Sequence, residues 1–465
     1  MVFINIYILH LRGSLKVNKK LIVILLALLI PMSMSNIFAK AAIVEKPDLK
    51  VYVDGILGVY SSNPISVDGK VYLPLNELMI YLGVPNDNVH IIWNSSNKSI
   101  TVKKDSTEII LKVGSKTTKI NNISTTLDAA PVIYKNKVYI TASSGAKSFN
   151  KSLDFESKTN SIIIGQKPDS KIKQVIVSSA AQFVKEIGSD TRILLKAGKY
   201  NLSSIKQTDS NDKKVNWQEV SDGKELNISN ISNLTIEGPN TGIAELVIDP
   251  RYAEIIRFKE CDNVNIKNIK AGHTPNTYEC DAGVLSFEKC NDILIDRSEL
   301  YGCGSIGLNL SETKRLNCTN TKINHCSLRA VQLFKCEAIH FSGCKISDHE
   351  AYSNIVFIMN SKDIKFEQCE FSNNKSFEWG FFEMCQGSDL LIEKCKIVNN
   401  SQKLNSTWDE KAYFFKTIDI LGVGYNSVIV VKDTVISNNT CDNFCDDEAS
   451  VTFENCTQTG NSWNK

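Results

Sequence analysis

The chain has 465 residues, of which 42% are hydrophobic, and its 53 Lys and Arg residues nearly balance its 51 Asp and Glu residues. A chain of this length can form more than one domain with a packed core. The balanced charge argues against a broad basic surface for nucleic acid or for an anionic membrane, so we expect no nucleic-acid partner.

Residues 1–41 are typical of a secretory signal peptide. A basic segment ending at Lys20 precedes an apolar run over 21–31, and Ala39 and Ala41 supply the small residues of a cleavage site. An uncleaved membrane anchor is the alternative, but the apolar run is too short to span a bilayer well. We predict a secreted or cell wall-associated protein with no stable membrane span after cleavage.

Residues 51–165 contain an internal duplication. The segment DGKVYLPL begins at Asp68, and the similar segment KNKVYITA begins at Lys135. Each copy continues through an amphipathic segment and ends in an aromatic residue (Trp93 or Phe155), a polar turn and an alternating strand. A hairpin, helix and strand used twice predicts a small α+β domain with its own core.

This pattern resembles the copper amine oxidase N-terminal-like domain, which stands at the front of many secreted Firmicute proteins. The second copy departs from the family, since Thr141-Ala142-Ser143 stands where the family has Pro-Leu-Arg. The resemblance implies a stalk or wall-facing spacer. It does not imply an amine oxidase, because His90 is the only imidazole in 51–165, cysteine is absent from it, and the chain lacks the Asn-Tyr-Asp/Glu segment that yields that oxidase's quinone.

Residues 166–177 contain proline and charged residues and are predicted to be a linker. Ser178 and Ser179 then provide N-cap residues for a short amphipathic helix, and a strand with the sequence ILLKAGKYNL follows from Ile193. A helix and strand of this kind resemble the start of pectin-lyase-like right-handed β-helices, in which the helix would cap the open end of the solenoid.

The rest of the chain consists of repeats without helical periodicity. Each repeat has two short alternating apolar runs and an Asn- or Gly-containing turn, and Cys344, Cys369 and Cys395 recur 25 and 26 residues apart. We therefore predict a mainly β fold, with a right-handed parallel β-helix over 178–465 preceded by the small α+β domain. We use "rung" for one turn of this solenoid. The rungs are predicted to start near Leu226, Ile255, Val284, Leu308, Val331, Ile355, Phe381, Ile418 and Val451.

All 14 cysteines lie within these repeats. Superposing the rungs groups Cys261, Cys290, Cys336, Cys385 and Cys456 at one position, Cys344, Cys369 and Cys395 at a second, and Cys303 and Cys326 at a third. We interpret them as ladders of small, reduced, inward-facing side chains. Disulfides and a metal site are the alternatives, with Cys441 and Cys445 the pair most prone to form a bridge.

Polar residues follow the second apolar run of successive rungs and form a candidate site. The candidates are His273, Glu279, Asp281, His325, Arg329, Asp348, His349 and Glu350. Aligned imidazole, carboxylate and guanidinium groups can act as general acid, general base and charge stabiliser toward a sugar acid. Two alternatives are a metal site using Cys303, Cys326 and His349, and a ladder of turn residues like that expected for Asn374 and Asn400.

Pectin-lyase-like proteins include lyases with Asp-bound calcium and an Arg base, and hydrolases with neighbouring Asp residues and a Gly-His-Gly turn. Gly272-His273-Thr274 matches only half of that turn, and Asp446-Asp447 lies far from it in the sequence. Neither catalytic pattern is intact. The block from Gly272 to Gly304, which contains GHTP, YECDAGVLSFEKC and LYGCG, instead resembles uncharacterised bacterial β-helix proteins. That resemblance implies a fold and little more.

These observations favour a monomeric protein that binds polysaccharide or cell-wall polymer. The alternative is a polysaccharide lyase or glycoside hydrolase acting on an acidic polysaccharide. We predict no cofactor, and calcium only if the protein is a lyase.

Overall fold

The structure is a computed structural model that describes residues 42–276, 279–302, 304–377, 380–404, 411–418, 427–446 and 450–464. The predicted signal peptide and Cys303 lie outside the described residues. Within those ranges, no helix has both the length and the apolar character needed to cross a membrane.

The N-terminal domain packs two short helices against three small antiparallel or mixed sheets. The helices are α1 (Leu75–Tyr81) and α2 (Ala142–Ser148). The strands are Val44–Glu45, Ile65–Val67, Lys70–Pro74, Lys137–Thr141 and Val132–Tyr134 in one sheet; Ile91–Asn94, Ser99–Lys104, Thr107–Lys112, Thr117–Ile120 and Ile123–Thr126 in the second; and Lys50–Val53, Ile56–Leu57, Leu153–Glu156 and Ser161–Ile164 in the third.

The duplicated segments meet at the centre of the first of these sheets. Tyr139, Ile140 and Thr141 pair antiparallel with the equivalent hairpin of the first copy. Thr141 also takes the place that Pro74 has before α1, and its hydroxyl accepts a hydrogen bond from the Ser144 N–H at 3.1 Å. The threonine therefore supplies the N-cap interaction that proline cannot make.

The connection between the two domains is shorter than the predicted linker. Lys173–Val177, which we placed inside the linker 166–177, forms a strand and pairs in parallel with Thr191–Leu195. Its alternating side chains extend the solenoid core, because Val177 is buried there. The proline and charged residues of segment 166–177 are typical of a linker and gave no indication of this strand.

The two domains contact each other beside this strand. The Gln174 side chain accepts a hydrogen bond from the Leu57 N–H at 2.9 Å and donates one to the Gly55 carbonyl at 2.7 Å. Leu57 and Val59 also pack with Leu194 of the solenoid in a small hydrophobic cluster.

The remainder is a parallel β-solenoid of about eight turns, as the sequence predicted. Each rung has three strands, and we number the three sheets by their order within a rung. The first sheet contains Val215–Val220, Gly223–Ser229, Ile256–Lys259, Leu285–Glu288, Ile306–Ser311, Arg329–Phe334, Val356–Met359, Gly380–Cys385, Tyr413–Ile418 and Thr440–Cys445, with the short strands Glu350–Ala351, Lys375–Ser376, Ser401–Gln402 and Ser462–Asn464.

The second sheet contains Lys173–Val177, Thr191–Leu195, Ser232–Glu237, Asp262–Lys267, Asn291–Asp296, Lys314–Thr319, Glu337–Ser342, Lys362–Glu367, Asp389–Glu393, Val428–Lys432 and Ser450–Glu454. The third contains Gly198–Asn201, Ala244–Ile248, Lys270–His273, Glu299–Tyr301, Lys322–Asn324, Lys345–Ser347, Glu370–Ser372, Lys396–Val398, Val435–Ser437 and Thr457–Thr459. These third strands occupy what the sequence pattern indicated as turns. A helix, α3 (Ala180–Glu186), inserts Phe183 into the core at the first rungs.

Most predicted rung starts agree with the first sheet. Those from Leu226 to Phe381 lie within three residues of the start of a strand. The last two are wrong: Ile418 ends the strand Tyr413–Ile418, and Val451 belongs to the second sheet. The long insertion before residue 411 breaks the repeat period that located the earlier starts.

Parallel register places equivalent side chains directly over one another inside the solenoid. The Phe258 and Phe287 rings stack with centroids 4.8 Å apart, and those of Phe341 and Phe366 with centroids 4.5 Å apart. Aromatic stacks of this kind bury large apolar area in each rung, so the core is one continuous cluster along the solenoid.

Most of the cysteines lie at the corners of the solenoid, where equivalent residues of successive rungs stack into ladders. At the corner between the first two sheets, Cys290 Sγ lies 3.6 Å from the Phe258 carbonyl, and the Cys290 N–H donates to Thr313 Oγ1 at 3.4 Å. Thr313 Oγ1 donates in turn to the Phe287 carbonyl at 3.1 Å. Cys, Thr and Ser are thus interchangeable here as small groups that satisfy buried backbone.

The cysteine groups need three corrections. Cys456 belongs with Cys344, Cys369 and Cys395, because Val435 pairs with Thr457 in the register. Cys385 ends a first-sheet strand over Met359 and belongs to neither corner. Cys280 is disulfide-bonded, whereas the other described cysteines, including the predicted pair Cys441 and Cys445, are free.

Candidate functional site

His349 lies in a ladder at the corner between the third and first sheets. Its ring is fully buried, Nε2 donates to the Ile323 carbonyl at 3.0 Å, and Nδ1 accepts from the Cys326 N–H at 3.0 Å. Burial lowers the pKa of His349 to about 4. The neutral ring therefore uses both nitrogens to satisfy the backbone and has none left for a substrate or a metal.

Asparagine performs the same task in the following rungs. Asn374 donates to the Ile346 carbonyl at 3.0 Å and accepts from the His349 N–H at 3.2 Å. Asn400 and Asn439 repeat this pattern. The turn-ladder alternative therefore describes His349.

His325 and Asp348 each precede a ladder residue at this corner. Their φ angles are +57° and +60°, in the left-handed region that His, Asp and Asn adopt more readily than most residues. His325 Nδ1 lies 2.8 Å from Asn324 Oδ1. Partial burial raises the pKa of Asp348, but hydrogen bonds from Ser347 and Asn373 outweigh it, and the net shift is downward.

The other predicted candidates are dispersed. His273 is buried, with Nε2 2.8 Å from the Ala253 carbonyl, and burial lowers its pKa. Glu279 pairs with Arg251 at 3.1 Å on an exposed loop, and Glu350 pairs with Lys375 at 2.8 Å. Asp281 is exposed. His273, Glu279 and Glu350 therefore have separate local partners.

The predicted metal site has no support from the ligands that the structure describes. Cys326 is buried with its sulfur in the core, and His349 is committed to the backbone. Cys303 lies outside the described residues. Across the described ranges, no group of three or more His, Cys, Asp and Glu side chains is placed to hold a metal ion.

Arg329 leads to a different site, on the outward face of the first sheet. The N–H groups of Ala330 and Val331 both donate to the Ile355 carbonyl, and both side chains are buried. These two consecutive inward residues interrupt the alternation of the strand, so that Arg329 and Gln332 on either side of them both face outward. Ile255 and Ile256 share the Val284 carbonyl in the same way, just after Glu254.

Register then aligns one outward residue from each strand. Arg257, Ser286, Asn309, Gln332 and Phe357 are successive partners in the first sheet. With the residues beside them they form a continuous surface, which we call the polar strip. The polar strip consists of Glu225, Glu254, Arg257, Ser286, Asn309, Gln332, Arg329, Asn354 and Phe357.

Two buried glutamates share one arginine at the acidic end of the polar strip. Arg257 Nε lies 3.2 Å from Glu225 Oε1 and 3.6 Å from Glu254 Oε2, without hydrogen-bond geometry. The Glu254 N–H donates to Glu225 Oε2 at 3.0 Å. Burial raises the pKa of Glu254 to about 7, against the lowering effects of Arg257, Ser286 and Asn309. Glu254 can therefore carry a proton near neutral pH.

The other end of the polar strip is organised by Arg329. Its Nε donates to Asn354 Oδ1 at 2.8 Å, and its guanidinium lies 4.5 Å from the centre of the Phe357 ring. It also donates to Gln332, whose amide donates to Asn309 at 3.1 Å. Asn309 in turn lowers the pKa of Glu254, so the amide side chains lie between the two ends of the polar strip.

The third sheet has a more ordinary outward face. It carries exposed ion pairs between neighbouring strands, such as Lys345 with Glu370 at 2.8 Å and Lys270 with Glu299 at 3.7 Å. Such exposed pairs add little stability. The polar strip differs because its carboxylates are buried and its arginines and amides are partly or fully buried.

Sequence analysis found only one residue of the polar strip, Arg329. The available signal was a recurring polar residue in the middle of each first strand, at Arg257, Ser286, Asn309 and Gln332. The His and Asp residues of the turns are a more conspicuous sequence signal, and they lie outside the polar strip.

No curated protein matches this chain. Among solved structures, the alginate lyase from Paenibacillus sp. str. FPU-7 is 11% identical with a TM-score of 0.43, covering 63% of this chain and 98% of that one. Pectate lyase Pel9A is 12% identical with a TM-score of 0.39, covering 61% and 78%. The pectin methylesterase from Aspergillus niger is 10% identical with a TM-score of 0.31, covering 64% and 87%.

These likenesses concern the fold, and the activities are those of the proteins named. Residues 52–164 match the family model described as the copper amine oxidase N-terminal domain. This chain therefore combines a segment similar to that domain with a following parallel β-solenoid.

Proposed function

We propose that this protein is secreted or wall-associated and binds an extended polysaccharide or cell-wall polymer along the polar strip. The proposal rests on the continuity of the polar strip from Gly223–Ser229 to Val356–Met359. These six strands at about 4.8 Å spacing give a surface about 24 Å long. An extended polymer can follow such a surface.

The chemistry of the polar strip suits a sugar polymer. Arg257 and Arg329 can donate to carboxylate or hydroxyl oxygens, and arginine does so in a fixed planar geometry. Asn309 and Gln332 offer both donors and acceptors. The partners already hold these side chains in place, which reduces the entropy lost on binding.

The test is a binding measurement with the Asn309→Ala/Gln332→Ala double variant. Calorimetry with alginate, polygalacturonate and purified cell-wall polysaccharide should show at least about tenfold weaker binding, equivalent to about 1.4 kcal/mol. The matched control is Lys345→Ala on the third sheet, which should bind like the unaltered protein. Absence of binding to all three polymers, or equal losses in variant and control, would contradict the proposal.

A second candidate function is cleavage of an acidic polysaccharide, and Glu254 is the observation in its favour. A carboxyl group with a pKa of about 7 can donate a proton to a leaving oxygen near neutral pH. Among the described residues, no group of three or more His, Cys, Asp and Glu side chains is placed to hold calcium, so this candidate relies on the protein's own side chains. Glu254 would supply the proton, and Arg257 would supply the positive charge.

This candidate predicts that Glu254→Gln lowers cleavage by about 100-fold or more, because the amide keeps the shape of the side chain but has no proton to transfer. New reducing ends and unsaturated products would be measured on the same three polymers, together with binding. Unaltered protein that binds without cleaving any polymer excludes the second candidate and leaves the first intact.

A further inference from the structure

The N-terminal domain contains a cavity of about 730 Å³ that the polar strip does not share. This volume lies within the usual range for small-molecule sites. Thr241 of the solenoid contributes to its wall, but the other lining residues belong to the N-terminal domain. The cavity is therefore a separate feature of the molecule.

An ion pair between a buried glutamate and a partly exposed lysine forms the polar part of the cavity. Glu77 is 4% exposed, lies in the first turn of α1 and accepts a hydrogen bond from the Ser61 hydroxyl. Lys137 Nζ lies 3.6 Å from Glu77 Oε1 and donates to Ser61. Since the two charges compensate each other, the cavity favours a neutral ligand over a charged one.

An exposed indole forms the apolar part. Trp93 is 46% exposed although it lies in the strand Ile91–Asn94, and Ile92 and Ile133 beside the cavity are 37% and 44% exposed. Amide side chains of Asn88 and Asn136 also line the cavity. An aromatic surface next to donors and acceptors matches a sugar ring, which has apolar C–H faces and hydroxyl groups around its edge.

Because the N-terminal domain is duplicated, the Trp93 cavity can be compared with the equivalent cavity beside Phe155. A smaller cavity of about 310 Å³ is lined by Phe155 and Lys70, which are the second-copy equivalent of Trp93 and the first-copy equivalent of Lys137. Phe155 is 62% exposed. Lys70 pairs there with Asp128, but the position equivalent to Glu77 is Ser144. The two halves thus share an architecture, and the Trp93 cavity has the larger volume and the deeper polar group.

We propose that the Trp93 cavity binds a neutral saccharide unit, a hexose or an N-acetylhexosamine, independently of the polar strip. The indole would pack against a face of the sugar. Lys137, Asn88 and Asn136 would hydrogen-bond its hydroxyl or acetamido groups. The protein would then have two carbohydrate sites of different character.

Calorimetry on the chain from residue 42 onward tests this, with cello-oligosaccharide and chito-oligosaccharide as neutral probes and trigalacturonate as the acidic one. We expect at least one neutral probe to bind, Trp93→Ala to weaken that binding at least tenfold, and Phe155→Ala to change it less than twofold. Asn309→Ala/Gln332→Ala should leave it unchanged, which separates this site from the polar strip.

The proposal is overturned if neither neutral probe binds, if trigalacturonate alone binds, or if Trp93→Ala binds like the unaltered protein. Equal losses in Trp93→Ala and Phe155→Ala would also overturn it. Because both aromatic side chains are largely exposed, both variants should fold, and circular dichroism verifies that they do.

Discussion

Individual buried residues in this protein carry opposite pH dependences. His349 has a pKa lowered to about 4 in the folded protein, against an ordinary value of 6.5. The unfolded chain therefore takes up a proton first as the pH falls, and stability decreases between pH 6.5 and pH 4. Glu254 has its pKa raised to about 7 from 4.5. Its contribution to stability therefore decreases as the pH rises from 4.5 to about 7.

We predict that His349→Asn reduces the loss of stability between pH 6.5 and pH 4. The full pKa difference corresponds to about 3 kcal/mol, and asparagine preserves the ladder as it does in the next rung. Urea unfolding at the two pH values measures the change. Glu254→Gln is the control and should change the slope in the opposite direction. If His349→Asn leaves the pH dependence of the free energy of unfolding unchanged, the His349 ring does not titrate as its burial requires.

At the scale of structural elements, the corner ladders make the short third strands possible. A strand of three residues forms few hydrogen bonds of its own, and the corners expose backbone groups to an apolar core. Asn400 satisfies two such groups: its Oδ1 accepts from the Asn374 N–H at 3.1 Å, and its Nδ2 donates to the Phe371 carbonyl at 2.9 Å.

We predict that Asn400→Ala lowers the free energy of unfolding by about 3 kcal/mol, since each buried group left without a partner costs about 1–3 kcal/mol. Lys396→Ala, at an exposed position on the neighbouring strand, should change it by less than about 0.5 kcal/mol. Hydrogen exchange at the Asn374 amide should accelerate in the first variant only. Unchanged exchange there would contradict the ladder's role.

At the scale of the whole molecule, two domains with separate cores share a small interface. The N-terminal core and the solenoid core are distinct clusters, and Leu57, Val59 and Leu194 connect them. Leu57 and Leu194 are each 2% exposed, so each domain buries a leucine of the other.

We predict that Leu57→Ala and Leu194→Ala are coupled, with a double variant less destabilised than the sum of the single variants by about 1 kcal/mol. Thermal unfolding of the two single variants and the double variant measures this. Leu111→Ala, deep in the N-terminal core, is the control and should be additive with Leu194→Ala. Additivity in both cases would show that the interface contributes no coupling.

The architecture of this protein follows from local patterns in its sequence. Alternation with period two and a recurrence of about 25 residues are local properties of the chain, and they predict stacked parallel strands wherever they occur. The duplicated DGKVYLPL segment likewise predicted the small α+β domain. The predictions were wrong at Ile418, where an insertion interrupted the period, and at Lys173–Val177, where proline and charged residues suggested a linker.

Which residues share a surface, in contrast, depends on how the rungs stack in the folded protein. Successive members of the series Arg257, Ser286, Asn309 and Gln332 are 23 to 29 residues apart in sequence but neighbours in the first sheet. Glu254 and Arg329 are brought beside them by the fold. His349 became a ladder residue for the same reason, because the backbone groups it satisfies belong to the preceding rung. Side-chain type indicates what chemistry is available, and the register and burial decide where it is used.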